Sequence, residues 1–325
     1  MEGKSNLYFL FIGFLLLIVE LTYFRIAVRY GIADKPNDRS SHVNHAIRGG
    51  GVIFIISVLI WFYSQEFLWP WFVVGAFAIA VVSFLDDVIS LNPLVRFLVQ
   101  LMAVLFLFIQ VWPVSWPVYL LVMAVVICVG ALNAFNFMDG INGITGVYAL
   151  VGLGSFAYIQ VSQVSFTDLS LIRTVSIAVL IFLFFNFRTN ARCFAGDVGS
   201  VTIAFVLIFL LIQLIYVADN FLWPLLFLVY GTDSIVTIIF RLRRKENIFK
   251  PHRTHLFQYL SNELKWPHLF VSLLYGTIQG MFNLILFVTL PQQQNILPIV
   301  LAIAFLCVYL LIRILVIKKI QLANG

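Results

Sequence analysis

Charge is what this chain has least of. Asp, Glu, Lys and Arg make up 10% of its 325 residues, against 62% for the hydrophobic types. A soluble globular domain carries about 25% charged and about 45–50% apolar residues, so there is too little polar surface here to clothe a core in water. A soluble enzyme and a disordered chain are both excluded. Cysteine is nearly as sparse. Cys128, Cys193 and Cys307 stand alone inside apolar runs, which excludes a secreted disulfide scaffold and reads as three small buried hydrophobes. There is no Walker A sequence, hence no sign of an ATP module. No internal repeat, linker or low-complexity segment divides the chain, so 1–325 reads as a single transmembrane domain.

What is present is apolar sequence. Runs fall at about 6–28, 50–64, 69–85, 94–112, 114–132, 144–162, 171–187, 199–217, 221–240, 268–290 and 296–316. A membrane-crossing helix needs about 20 such residues, so eleven spans are expected and the fold class is an all-α polytopic membrane protein. A transmembrane barrel would show short alternating segments instead. The first run is too long for a signal-peptide core and lacks a small-residue cleavage site, so it reads as a retained span.

The connections alternate in character. Those at 29–49, 86–93, 133–143, 188–198 and 241–267 are rich in charge, Asn, Gly and His, while the intervening ones are short or bland. Of the 20 Lys and Arg residues, all but Lys4 and Arg173 sit on or near the side of the five polar loops. The positive-inside rule then puts those loops and the C-terminus in the cytoplasm and the N-terminus outside. The net charge of +6 thus expresses orientation and headgroup contact; nucleic acid is not an expected partner.

Each polar loop carries groups suited to anions or metals. Loop one offers Lys35, Arg39 and Arg48 before Gly49-Gly50-Gly51, and glycine-rich amides at a helix start can cradle phosphate. A plain basic connector fits equally well. Loop two opens with Asp86-Asp87, two carboxylates at the disfavoured end of a helix dipole, which calls for a compensating cation. Hard oxygen ligands favour Mg²⁺, with Mn²⁺ the alternative, over zinc. Adjacent helix positions diverge by about 100°, so the two are expected to differ in role; a solvated cap is the other reading. Loop three places Asn133, Asn136 and Asp139 at intervals of three, then Asn142 between turn-forming glycines, an expensive amide cluster at a membrane edge unless it binds something polar. Asp197, between glycines before a helix start, can cap that helix or hold a metal. Loop five supplies His252, Arg253 and His255. Without further ligands nearby they suit a sugar-phosphate anion better than zinc. Within the spans, Asp233 reads as functional or as hydrogen-bonded between helices, and Glu20 carries less weight.

Together the Asp86-Asp87 pair, Asn-x-x-Asn-x-x-Asp-Gly-x-Asn-Gly from Asn133, Phe-x-Gly-Asp-x-Gly-Ser from Phe194 and the late His loop resemble the polyprenyl-phosphate N-acetylhexosamine-1-phosphate transferases, the superfamily of the bacterial phospho-MurNAc-pentapeptide translocase. The resemblance spans nearly the whole chain. Asn-x-Arg-Ser-Ser-His followed by Arg-Gly-Gly-Gly, and His252-Arg253-Thr254-His255 in place of three consecutive histidines, look most like the branch that initiates O-antigen in lipopolysaccharide synthesis. Asn142 stands where the peptidoglycan branch has a second Asp, so no charged role is carried over to it.

The resemblance implies transfer of HexNAc-1-phosphate from a UDP-sugar to undecaprenyl phosphate, with UMP released, at the cytoplasmic face of a bacterial inner membrane. It implies Asp197 and Asp87 as Mg²⁺ ligands, Asp86 at the lipid phosphate, and Asn133, Asn136, Asp139 and Asn142 at nucleotide or metal-bound water. His252, Arg253 and His255 would meet the sugar-phosphate, with Lys35, Arg39 and Arg48 at the lipid phosphate or pyrophosphate. A covalent aspartyl-phosphate route and a homodimer stay open. The rival class, a transporter or flippase for a lipid-linked or anionic solute, predicts polar residues running through the membrane rather than gathered on one face.

Overall fold

In a computed structural model of the chain, residues 5–34, 46–112, 116–247 and 253–324 are described. Helices dominate: α1 (Asn6–Tyr30), α2 (Val52–Ser64), α3 (Pro70–Ile89), α4 (Pro93–Val111), α5 (Val118–Met138), α6 (Ile144–Ser162), α7 (Leu169–Asn186), α8 (Gly196–Ala218), α9 (Leu228–Arg243), a short α10 (Leu256–Gln258), α11 (His268–Thr289) and α12 (Ile296–Asn324). Two two-residue strands, β1 (Ala33–Asp34) and β2 (Ala46–Ile47), pair antiparallel after α1. Local signals set several ends. Ser5 accepts the Tyr8 amide at the start of α1, and Gly31 closes that helix in the left-handed region. Asn92 caps α4, where Pro93 needs no donor partner.

Every expected apolar run is a helix, but the count needs correction. Among the described residues ten helices are long and apolar enough to cross a membrane. The run at 50–64 yields only the 13 residues of α2, about 20 Å at 1.5 Å per residue, short of a hydrocarbon core about 30 Å thick. At its other end α2 is tied to the α7 cap, where Trp61 Nε1 donates to Asp168 Oδ2 at 2.8 Å.

The core is built around α8, which packs against α2, α3, α4, α5 and α6. Two-thirds of its apolar window is buried (67%), against 17% for each of α1 and α12. With lipid outside, helices gain little from hiding apolar surface and depend on close packing and internal hydrogen bonds. Both are present. Phe72 of α3 stacks on Phe209 of α8 with ring centroids 3.8 Å apart. Gln279 of α11 accepts from Tyr148 Oη and from the Val229 amide, and donates to the Leu225 carbonyl. It thereby satisfies the backbone where the 3₁₀ turn Trp223–Phe227 meets α9, as irregular backbone inside a membrane requires.

Candidate active site

The described parts of the five polar loops converge at one end of the bundle, and the first contact is backbone pairing. After β2, the chain runs beside loop four: the Ile47 amide donates to the Arg192 carbonyl (3.0 Å), Phe194 to Ile47 (2.8 Å), Gly50 to Phe194 (2.8 Å) and Gly51 to Ala195 (3.1 Å). The glycines are there for proximity. A Cβ on Gly50 would lie 2.8 Å from Cys193 Sγ, and one on Gly51 would overlap the Gly199 backbone. This corrects the phosphate-cradle reading of loop one, because the amides of Gly50 and Gly51 are already spent on loop four. Of the loop-one cations, Arg48 lies within the described residues; Lys35 and Arg39 fall outside them.

Asp86 and Asp87 end α3 and face different partners. Asp87 Oδ1 accepts Arg48 Nε at 2.8 Å and the Asp197 amide at 3.0 Å, and Oδ2 accepts the Val198 amide at 3.1 Å. Asp87 therefore caps α8 from a neighbouring helix. Asp197, for which capping was one expectation, is itself the residue being held. Gly196 sits at φ +70°, and a Cβ there would lie 2.5 Å from Asp87 Oδ2. Asp86 Oδ1 accepts the Leu91 amide at 2.6 Å, and its Oδ2 is bonded by Arg96 Nη1. The same nitrogen donates to Asp197 Oδ2 at 3.1 Å.

The paired carboxylates thus take one cation each, Arg48 at Asp87 and Arg96 at Asp86, and sequence reasoning missed Arg96. The available signal was an arginine ten residues beyond Asp86, just inside a helix opened by Asn92-Pro93.

Loop three divides. Asn136 Oδ1 accepts Ser200 Oγ at 2.7 Å, one turn along α8 from Asp197, so this amide joins the cluster. Asn133 does not: its Nδ2 donates to Gln100 Oε1 and to the Val129 carbonyl, both at 2.8 Å, bracing α4 against α5. Asn142 is also a brace, donating to the Arg188 and Thr189 carbonyls. Asp139 Oδ1 accepts Thr145 Oγ1 at 2.6 Å, and removal from water pushes its carboxyl up to about 6 against the Thr145 hydrogen bond. The Phe257 ring of loop five lies against Gly140, where a Cβ would meet it at 3.0 Å.

Loop five is anchored from below. Asp233 is fully buried and accepts from Tyr275 Oη (2.6 Å), Tyr309 Oη (2.9 Å), the Leu256 amide (3.1 Å) and Thr237 Oγ1 (3.2 Å). His255 Nδ1 lies 3.1 Å from its Oδ1. Of the two readings of Asp233, the structure gives the interhelical one. Arg253, two residues before His255 in the chain, is half-buried, and His252 lies outside the described residues. Glu20 is buried in α1, with Oε1 4.0 Å from Cys193 Sγ.

Among the described residues no group of three or more His, Cys, Asp or Glu side chains could hold a metal. Mg²⁺ asks for less. It is commonly held by one or two carboxylates, with water and substrate phosphates completing the shell. Asp86 and Asp197, sharing one arginine nitrogen, with the Asn136 amide close by, are an all-oxygen donor set of that kind.

A relative from Bacillus subtilis (strain 168), the probable undecaprenyl-phosphate N-acetylglucosaminyl 1-phosphate transferase, is 30% identical over 262 residues, covering 74% of this chain and 72% of its own. The model of the family described as Glycosyl transferase family 4 matches residues 69–215. The chain belongs to glycosyl transferase family 4. It is a membrane-embedded member of the polyprenyl-phosphate N-acetylhexosamine-1-phosphate transferase superfamily, and its general reaction is transfer of a sugar phosphate to a polyprenyl phosphate. The family 4 match runs from α3 through α8 and so contains Asp86, Asp87, the Asn133–Asn142 loop and Asp197, while loops one and five lie outside it.

Proposed function

We propose that this family 4 transferase moves HexNAc-1-phosphate from a UDP-HexNAc to undecaprenyl phosphate on the cytoplasmic side of a bacterial inner membrane. The products are undecaprenyl-pyrophosphoryl-HexNAc and UMP, and the step opens assembly of a surface polysaccharide. The observation that carries this reading is the Arg96 guanidinium bridging Asp86 and Asp197, beside the Arg48–Asp87 pair. Alternating carboxylates and guanidinium groups at the end of a bundle suit a reaction between two phosphate-bearing substrates, one dissolved in water and one in lipid.

An oxygen of the lipid phosphate attacks the β-phosphorus of the donor. The bond from that phosphorus to the oxygen bridging the α-phosphate breaks, and UMP leaves with the electron pair. The lipid phosphate is already largely ionised near neutral pH, so the chain's task is to bring two anions together rather than to make a nucleophile. Arg48 and Arg96 supply positive charge beside the carboxylates, and Asp87 fixes the first turn of α8 and so the place of Asp197. Asp86 directs Arg96 and faces the acceptor phosphate. Mg²⁺, or Mn²⁺ in its place, would be held by Asp197 with Asp86 and Asn136, and would draw charge off the phosphoryl oxygens. Asp87, the second ligand expected from sequence, is the alternative partner of Asp197: its oxygens accept Arg48 and the α8 amides, as those of Asp86 accept Arg96 and the Leu91 amide. Asp139 and Asn136 would face the nucleotide, and Arg253 and His255 the sugar phosphate.

The test is UMP release from membranes given undecaprenyl phosphate, Mg²⁺ and a panel of UDP-HexNAc donors, with GlcNAc, FucNAc and QuiNAc forms included. Release with one donor and its loss on chelation are expected. No UMP from any donor would sink the proposal and return the transporter reading.

A further inference from the structure

We propose that Arg313 of the last helix is a positioning residue for the donor end of the site. It rests on the reading that Arg253 and His255 meet the sugar phosphate. Helix α12 touches the bundle lightly: most of its surface faces outward, and its buried residues among those described are Pro298, Tyr309, Arg313 and Val316. An apolar seam would attach such a helix at less cost than a buried charge. Arg313 lies five residues before Lys318, about 7.5 Å along the helix, within reach of the headgroup layer for a long side chain. It turns inward instead and is 1% exposed.

What it does there is specific. Nη1 donates to Thr237 Oγ1 at 2.8 Å and to Tyr309 Oη at 2.9 Å, and Nη2 donates to the Thr254 carbonyl at 2.6 Å. Nη1 also stands 3.7 Å from Asp233 Oδ1, the oxygen beside His255 Nδ1 and the Leu256 amide. The guanidinium lies over the rings of Phe240 and Tyr259, with Cζ 5.1 and 5.8 Å from their centroids. One fork therefore grips α9 with one nitrogen and the backbone between Arg253 and His255 with the other. Lysine has a single point charge and cannot reproduce both contacts. Arg313 touches no substrate; it sets where Thr254 and His255 lie.

The test compares purified Arg313→Met, Arg313→Lys and Tyr309→Phe with the parent, measuring KM for UDP-HexNAc, KM for undecaprenyl phosphate, kcat, and amide exchange. Losing one charge-assisted bond to the loop should raise the donor KM about tenfold in Arg313→Met. The acceptor KM should stay within about twofold, Arg313→Lys should fall between, and exchange should quicken at His255–Gln258 but not in the first turn of α8. A donor KM unchanged in Arg313→Met overturns the proposal, as does a parallel rise in both KM values with faster exchange everywhere. Should Arg313→Met fail to accumulate, unchanged donor KM in both Arg313→Lys and Tyr309→Phe overturns it equally. Arg253→Ala and His255→Ala separate the two readings. If either raises the donor KM while Arg313→Met does not, positioning fails alone. If neither does, the assignment of loop five to the donor fails and takes this inference with it.

Discussion

Replacing Asp87 by asparagine tests whether this carboxylate works as a helix cap or at the reacting groups. In the parent it accepts Arg48 Nε and the amides of Asp197 and Val198. Asparagine retains one acceptor oxygen. Placed at Oδ1 it keeps Arg48 and Asp197 but turns an NH₂ toward the Val198 amide, donor against donor. A lost charge-assisted hydrogen bond costs about 1.5–3 kcal/mol, and a lost cap about 0.5–2 kcal/mol. The larger penalty for stranding a buried charge does not apply, because the Arg48 side chain is 39% exposed and water can take over its solvation. A net loss of about 2–3 kcal/mol should lower the melting temperature by roughly 5 °C in a chain of this size. Transfer should fall as well, since the first turn of α8 carries Asp197. Both are measurable on one detergent-purified sample, by thermal unfolding and by UMP release. Full loss of transfer with an unchanged melting temperature would refute the capping argument and restore Asp87 to the metal or substrate.

Asp197 offers the opposite pattern. Its carboxylate bonds Arg96 and is not needed to hold α8, so Asp197→Asn should abolish transfer while melting within about 2 °C of the parent. Gly51→Ala should cost about 1–3 kcal/mol and lower the amount of folded protein in membranes, because its methyl would overlap the Gly199 backbone. Asn133→Leu should change stability while leaving the KM for UDP-HexNAc within about twofold of the parent, as its amide bonds Gln100 rather than facing the cluster; a large rise in that KM would overturn the bracing role. Asp139 titrates at about 6 in place of 3.8. The folded state holds this proton more tightly than the unfolded, so its contribution is full below about pH 3.8 and lost as pH rises through 6. Asp139→Asn should flatten stability between pH 4 and 6, and thermal scans across that range decide the point.

How far the sequence reaches differs between bilayer and loops. Continuous apolar runs are long-range signals, and each became a helix with nearly the expected bounds. The helix α2 is as short as its apolar run, but that the turn at Gly49 to Gly51 is held against loop four leaves no trace in a hydropathy profile, because the partner lies some 140 residues away. Within the site, residue type was a better guide than role. Asp86, Asp87 and Asp197 do gather, yet that Asp87 caps α8 while Asp86 and Asp197 share Arg96 rests on contacts between α3, α4 and α8 that the sequence does not show. Asn133 and Asn142 share the spacing of Asn136, but Gln100 and the Arg188 and Thr189 carbonyls take up their amides. Arg96 and Arg313 passed as members of the positive-inside population, since a sequence does not show which cations turn toward the protein.

The pairing of residues 47–51 with 192–195 has a consequence for how the protein is made. Helices α1 to α7 can enter the membrane one after another as the ribosome delivers them, but the edge left by Ile47, Gly50 and Gly51 has no partner until loop four emerges. The carboxylate pair closing α3 likewise waits for the amides of α8. The Thr254 carbonyl waits longer still, for the guanidinium of Arg313, which follows it by 59 residues. Assembly of the charged end is therefore a late event, and a chain arrested before its final helix would be inserted and mostly packed yet lack its last clamp.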